Sequence, residues 1–261
     1  MAESIHYSPA ALNNSYGAPE IVKQRRVTLD ALAVQPGQNI LDVGCGSGFL
    51  TYELANLVGS SGTVIAIDKS EEMIDATMER CFGLGQVSSR IADVRELPFD
   101  DNQFDAVTCT QVLLYVGDVA KAIGELSRVT RGGGRVAILE TDWRGAIMHS
   151  HHPELTDAIF TAWDKSVPSP NLPRRLSRLM HKAGINVTHK EAIPLLNTDF
   201  DPGNFSVSSL NWLSGNAYKK GAISKEQSAL WRDDLEKLGE LGEYFFCVNR
   251  FLFVGNKIQS S

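Results

Sequence analysis

The chain has 261 residues, 43% hydrophobic and 21% charged, which suits one α/β domain with a substantial core and additions. Its net charge is −6 and its basic residues form only short pairs (Arg25-Arg26, Arg174-Arg175, Lys219-Lys220), which argues against a nucleic-acid partner. No run of about eighteen apolar residues occurs, residues 1–11 lack a basic-then-apolar signal pattern, and Cys45, Cys81, Cys109 and Cys247 show no C-x-x-C spacing, so no membrane span, a cytoplasmic location and reduced thiols are expected.

In chain order, 19–33 reads as an amphipathic helix with Ile21, Val22, Leu29 and Leu32 inward. Next, Leu41-Asp42-Val43-Gly44-Cys45-Gly46-Ser47-Gly48 joins an apolar strand to a glycine-rich turn that opens a helix over 49–58. Glycine permits the sharp turn and lets the backbone approach a ligand closely. The glycines at 44, 46 and 48 run G-x-G-x-G, whereas a dinucleotide fingerprint would place its third glycine at Phe49, so the spacing favours an adenosyl cofactor without a pyrophosphate.

A second buried strand, 63–68, ends at Asp68, about twenty residues beyond the glycines, where a carboxylate can accept both ribose hydroxyls. A third, 87–92, ends in Asp93-Val94, placing an acceptor for an adenine amine beside a backbone N–H donor for a ring nitrogen. A fourth, 104–108, ends in Cys109-Thr110-Gln111. Each acid alone also suits a turn or an N-cap; their succession at strand carboxyl ends marks the ligand-binding edge of an open α/β sheet. Helices are expected over 70–81, with Ser70 as N-cap, over 119–129 and over 172–182, the last ended by Gly184. Strands over 185–193 and 244–254 complete the pattern.

On these residues the chain resembles the class I S-adenosylmethionine-dependent methyltransferases, in particular the ubiquinone/menaquinone-biosynthesis-like branch (methyltransferase type 11). The matching segments are LDVGCGSGFL (41–50), VIAIDKSEEM (64–73), ADVRELPF (92–99), FDAVTCTQVLLYV (104–116) and ELSRVTRGGGRVAILE (125–140). The resemblance implies S-adenosyl-L-methionine as cofactor and a Rossmann-like, doubly wound, seven-stranded, mostly parallel sheet with the last strand antiparallel. It implies Gly44, Gly46 and Gly48 around the methionine part, Asp68 at the ribose, Asp93 and Val94 at the adenine, and Thr110 and Gln111 beside the sulfonium; Cys45 and Lys69 belong to the same cofactor set. Arg131-Gly132-Gly133-Gly134 departs from the family's Lys/Arg-Pro-Gly-Gly turn by lacking the proline, which touches a turn and not the chemistry. Ahead of the first strand, Tyr16, Gln24 and Arg25 match residues that close over the cofactor, Arg25 toward the methionine carboxylate and Tyr16 near the methyl group; a solvated helix face is the other reading of these positions.

The expected organisation is one methyltransferase domain: a cofactor-covering helical segment over 1–36, a cofactor-binding core over 37–142, and insertions over 143–171 and 195–243 that serve as helical lid and substrate wall. The second insertion holds Trp212 and Tyr218, substrate contacts or packing, and a helix over 224–238 in which Trp231 and Leu235 read as packing. In the first insertion His149, His151 and His152 stand together. His149 is the candidate to orient or deprotonate substrate, and a polar surface loop is the alternative. With Tyr16 and Gln111 it makes the expected catalytic set, while Tyr115 either faces the methyl group or packs. No metal is expected, because H-S-H-H lacks a carboxylate or cysteine at ligand spacing.

The expected function is methyl transfer to a small, partly apolar acceptor by direct in-line displacement. Three rivals stand beside it: an accessory protein that binds the cofactor without transfer, a thiol- or arsenic-directed methyltransferase requiring convergent cysteines, and a nicotinamide oxidoreductase, which Phe49 disfavours. The residues leave the acceptor atom and the oligomeric state open.

Overall fold

Apolar runs alternating with amphipathic stretches fold here into a sheet flanked by helices. The structure, a computed structural model, describes residues 8–259. Helices α1 (Pro9–Tyr16) and α2 (Pro19–Leu32) come first, followed by β1 (Asn39–Val43), α3 (Phe49–Val58), β2 (Thr63–Asp68), α4 (Glu71–Arg80) and β3 (Val87–Ile91). Then come β4 (Phe104–Thr110), α5 (Val119–Val129), β5 (Thr130–Thr141), the two-residue β6 (Ile147–Met148), α6 (Pro153–Ser166) and α7 (Pro173–Lys182). The chain closes with β7 (Ile185–Asn197), α8 (Phe205–Lys219), α9 (Lys225–Glu240) and β8 (Phe246–Lys257).

The main strand order is β3-β2-β1-β4-β5-β8-β7, parallel through β5, with β8 antiparallel to both neighbours. The sheet has eight strands rather than the expected seven, because β6 pairs with Phe246 and Cys247, the part of β8 beyond the end of β5. Winding reverses between β1 and β4, and an open α/β sheet binds ligands at the carboxyl ends of its strands beside such a switch point.

Successive strand residues point to opposite faces. Ile40, Val64, Ala106 and Ala137 therefore pack with Leu32, Leu50, Leu54 and Val58 of α2 and α3, while Leu41, Val107 and Ile138 pack with Ile123, Leu126, Leu176 and Met180 of α5 and α7. A third core joins the two insertions, with Trp163 of α6, Leu213 of α8, and Trp231 and Leu235 of α9 around Trp143, Tyr244 and Phe246. Trp231 is wholly buried and its indole N–H donates to Thr156 Oγ1 at 2.9 Å, as a packing role requires.

Ser70 holds the N-cap position of α4, but its side chain makes no capping bond; its backbone N–H donates to Asp68 Oδ1 instead. Tyr115 sits in a single 3-10 turn, Leu113–Tyr115, not in an α-helix.

Candidate functional site

The glycine-rich turn is fixed to the end of β2. Gly44 and Cys45 both donate backbone N–H groups to Ile67 O, at 2.7 and 3.0 Å, and Thr77 Oγ1 of α4 donates to Gly46 O at 2.8 Å. Gly44 has φ +71° and its Cα faces Val112 so closely that an added Cβ would collide with Val112 Cγ2. Gly48, at φ +81°, turns the other way: a Cβ there would lie 2.8 Å from Thr77 Cα, so this glycine lets α4 approach the turn and does not line the cavity beside it. Below the turn, buried Asp42 accepts from Thr51 Oγ1 at 2.6 Å, and burial pushes its carboxyl up to about 6.

Asp68 closes the next strand. Its Oδ2 accepts from Gly46 N at 3.1 Å and its Oδ1 from Ser70 N at 3.0 Å, so only two of the roughly four acceptor sites of a carboxylate are taken. Asp93 is engaged differently. Arg95 donates to both its oxygens and Lys69 Nζ lies 2.8 Å away, and these cations, Arg95 foremost, hold its carboxyl well below the ordinary range. The wall at β4 ends in Thr110 and Gln111. Gln111 takes φ +58°, a rare conformation for a residue with a side chain, and is held there by its N–H to Leu139 O at 2.8 Å and by Thr141 Oγ1, which donates to Gln111 Oε1 at 2.7 Å.

The opposite end of the site is built by the segments outside the minimal fold. Ser15 of α1 and Ser208 of α8 are hydrogen-bonded at 3.0 Å, and Glu20 of α2 accepts from Asn197 Nδ2 at 2.8 Å and Phe205 N at 2.7 Å. Trp143 stacks on Phe205 with ring centroids 6.2 Å apart and meets the edge of Trp212 at 5.4 Å. Arg25 is buried, donating from Nε to Glu53 at 2.9 Å and from Nη1 to Tyr16 O at 2.7 Å, so Glu53 already fills the expected role of its carboxylate partner.

A continuous cavity of about 1130 Å³ joins the two ends. Its lining brings together Tyr16, Arg25, Gly44, Cys45, Gly46, Asp68, Lys69, Asp93, Val94, Thr110 and Gln111. Trp212 and Tyr115 line it; Tyr218 does not.

His149 is likewise outside the lining. It is an exposed residue whose backbone N–H donates to Phe245 O at 2.9 Å, and its imidazole neighbours His151, which is tied to Asp234 Oδ1 at 2.8 Å. The short β6 pairing carries this segment along β8, which places His149 outside the cavity lining. Among the described residues no group of three His, Cys, Asp or Glu side chains is placed to hold a metal, and of the four cysteines only Cys45 lines the cavity. Burial raises the Cys45 thiol, so it stays protonated.

Arg250 of β8 lines the cavity and was not among the residues expected from sequence. The signal was present: Phe246, Val248, Arg250 and Leu252 alternate as the inward set of that strand, which puts a guanidinium where apolar side chains belong.

A family model described as a methyltransferase domain matches residues 35–191. A 37.1 kDa protein of transposon TN4556 from Streptomyces fradiae is 32% identical over 231 residues, covering 88% of this chain and 66% of that one. A demethylmenaquinone methyltransferase of Staphylococcus aureus is 38% identical over 130 residues, 50% of this chain and 54% of that one. The chain thus spans just under two thirds of the first relative and about half of the second. Among solved structures, a SAM-dependent methyltransferase from Aquifex aeolicus shares the fold with a TM-score of 0.57 at 19% identity, covering 94% of this chain and 99% of that chain.

Proposed function

Since the chain belongs to the class I S-adenosylmethionine-dependent methyltransferases, we propose that it methylates a small molecule held at the aromatic end of the cavity. The observation that carries this reading is the size and division of that cavity. At about 1130 Å³ it exceeds the roughly 300–1,000 Å³ of a typical single-ligand site, and its polar, glycine-lined end differs in character from the end walled by Trp143, Phe205 and Trp212.

The glycine-lined end fits the cofactor. Gly44, Cys45 and Gly46 present backbone to it, the remaining acceptor sites of Asp68 take the ribose hydroxyls, and Val94 with Thr110 and Gln111 walls the adenine and sulfur positions. Asp93, already neutralised by Arg95 and Lys69, shapes the adenine pocket more than it donates affinity. S-Adenosylmethionine supplies a methyl group on a positively charged sulfur, which leaves placement and exclusion of water to the protein.

Residues 37–142 are read as the cofactor-binding core. Of the segment before them, the described part from residue 8 onward covers it, residues 1–7 lying outside the described residues, and 143–171 with 195–243 wall the acceptor, α1 and α8 meeting over the cavity through Ser15 and Ser208. Tyr16 and Gln111 position the reactants. Burial raises the Tyr16 hydroxyl, so it acts as a hydrogen-bonding group and not as a base.

Val207→Trp, which adds bulk at the aromatic end, tests the reading. S-Adenosylhomocysteine affinity should hold while methyl transfer into the small-molecule fraction of a host extract is lost. Equal loss of both would mean that the ends are not separate sites.

A further inference from the structure

Three cations line the cavity, and two of them have a carboxylate partner. Arg25 lies 2.9 Å from Glu53 and Lys69 lies 2.8 Å from Asp93. Arg250, only 2% exposed, forms no ion pair among the described residues. Its Nη1 donates to Gln24 Oε1, and its Nε–H is buried with no acceptor. The guanidinium lies against two aromatic faces, 5.6 Å from the Tyr16 ring centroid and 5.0 Å from that of Phe205.

A buried charge held only by neutral groups is costly unless a counter-charge joins it. The groups acting on Arg250 are Tyr16, Tyr115, Glu140 and Gln24. Glu140 does not supply the missing charge: burial pushes its carboxyl up to about 8, and its Oε1 is taken by the backbone N–H groups of Val112 and Leu113 at 3.0 and 2.6 Å. Burial raises the Tyr16 hydroxyl, which therefore supplies no negative charge either.

Resting on the methyl-transfer reading above, we propose that Arg250 is the receptor for an anionic oxygen of the methyl acceptor, whose planar apolar body lies against Trp143, Phe205 and Trp212. The acceptor class is then an aromatic or similarly flat organic acid. Arg250 sets specificity through charge, and the indole and phenyl faces through shape.

The same chemistry could come from the cofactor's own carboxylate, and the test separates the two sources. With S-adenosylhomocysteine bound, calorimetry compares 2-naphthoate with its neutral isostere 2-naphthamide on the wild-type protein. Naphthoate should bind about tenfold or more tightly than the amide, a difference of about 1.4 kcal/mol. Arg250→Met should erase that preference with S-adenosylhomocysteine affinity unchanged, and Arg250→Lys should keep part of it.

Equal binding of the pair by the wild-type protein, no binding of naphthoate, or a preference that survives in Arg250→Met overturns the proposal. So does a loss of S-adenosylhomocysteine affinity in Arg250→Met that 5′-methylthioadenosine, lacking the amino-acid carboxylate, does not share, because the anion is then the cofactor's. If Arg250→Met fails to fold, the wild-type ratio and Arg250→Lys decide. Failure of S-adenosylhomocysteine to bind the wild-type protein would instead remove the methyl-transfer reading beneath the proposal.

Discussion

Ser15 Oγ and Ser208 Oγ, 193 residues apart in sequence, lie 3.0 Å from one another and join the first helix to a helix of the second insertion at the cavity wall. A ligand that must part α1 from α8 to enter or leave will be trapped when the two are tied. The double substitution Ser15→Cys, Ser208→Cys places thiols where the hydroxyls meet, close to disulfide range. Oxidation is expected to slow exchange of bound S-adenosylhomocysteine in a chase experiment, and reductant should restore it. Unchanged exchange in the verified disulfide form would show another route into the cavity.

Asp68 is predicted to carry much of the cofactor affinity. Asp68→Ala removes a charged acceptor from the ribose position and frees Gly46 N and Ser70 N, so S-adenosylhomocysteine binding should weaken by about 1.5–3 kcal/mol on calorimetry. Asp68→Asn should recover only part of this. An unchanged Kd in Asp68→Ala would dissociate this residue from the cofactor.

Gly44 is irreplaceable for two separate reasons, its φ of +71° and the collision of any Cβ with Val112. The left-handed backbone alone costs a non-glycine residue about 1–2 kcal/mol. Gly44→Ala should therefore lower the urea midpoint and abolish cofactor binding, whereas Gly145→Ala, with a Cβ entering open space, should do neither.

Glu140 should give the protein a pH-dependent stability. Burial raises its carboxyl from an ordinary 4.5 to about 8, so the native state keeps a proton that the unfolded chain releases. The stability this contributes is fully present below about 4.5, is lost as pH rises toward 8, and changes no further above it. Glu140→Gln keeps the oxygen that accepts from Val112 N and Leu113 N without the titration. Its melting temperature should gain on the wild type's between about pH 5 and about pH 9; parallel curves would mean that Glu140 titrates normally.

His149→Ala is expected to leave methyl transfer unchanged, since the imidazole lies outside the cavity lining, while His151→Ala should lower the melting temperature modestly by releasing Asp234. A selective fall in kcat for His149→Ala would bring that loop into the chemistry.

The Rossmann-like half was legible because its signals are local. Helix α3 follows a glycine that must take positive φ, β1 is a short buried run that leads into the glycine turn, and β2 and β4 are runs that end in the polar Asp68 and Thr110 at the same sheet edge. Helix α8 was not read, because its inward face includes Ser206, Ser209 and Ser214, and serine looks solvated until the fold shows Ser209 and Ser214 donating to Phe205 O and Leu210 O one turn back. The three histidines drew attention as titratable groups near neutrality, yet the β6 pairing that takes them away from the cavity spans only two residues and leaves no pattern in the sequence. Arg250 was masked for a different reason: a charge beside Asn249 in a largely apolar strand does not reveal which strands flank it, and only pairing on both sides, to Thr141 and Ile193, shows it to be central.

Methyl transfer to a small acceptor is tested most directly by incubating the protein with methyl-labelled S-adenosylmethionine and separated small-molecule, protein and RNA fractions of its host, then locating the label by mass spectrometry. The cavity predicts label in one small molecule, carrying an acidic group if Arg250 acts as proposed. Label confined to protein or RNA, or none at all while S-adenosylhomocysteine still binds, would contradict it.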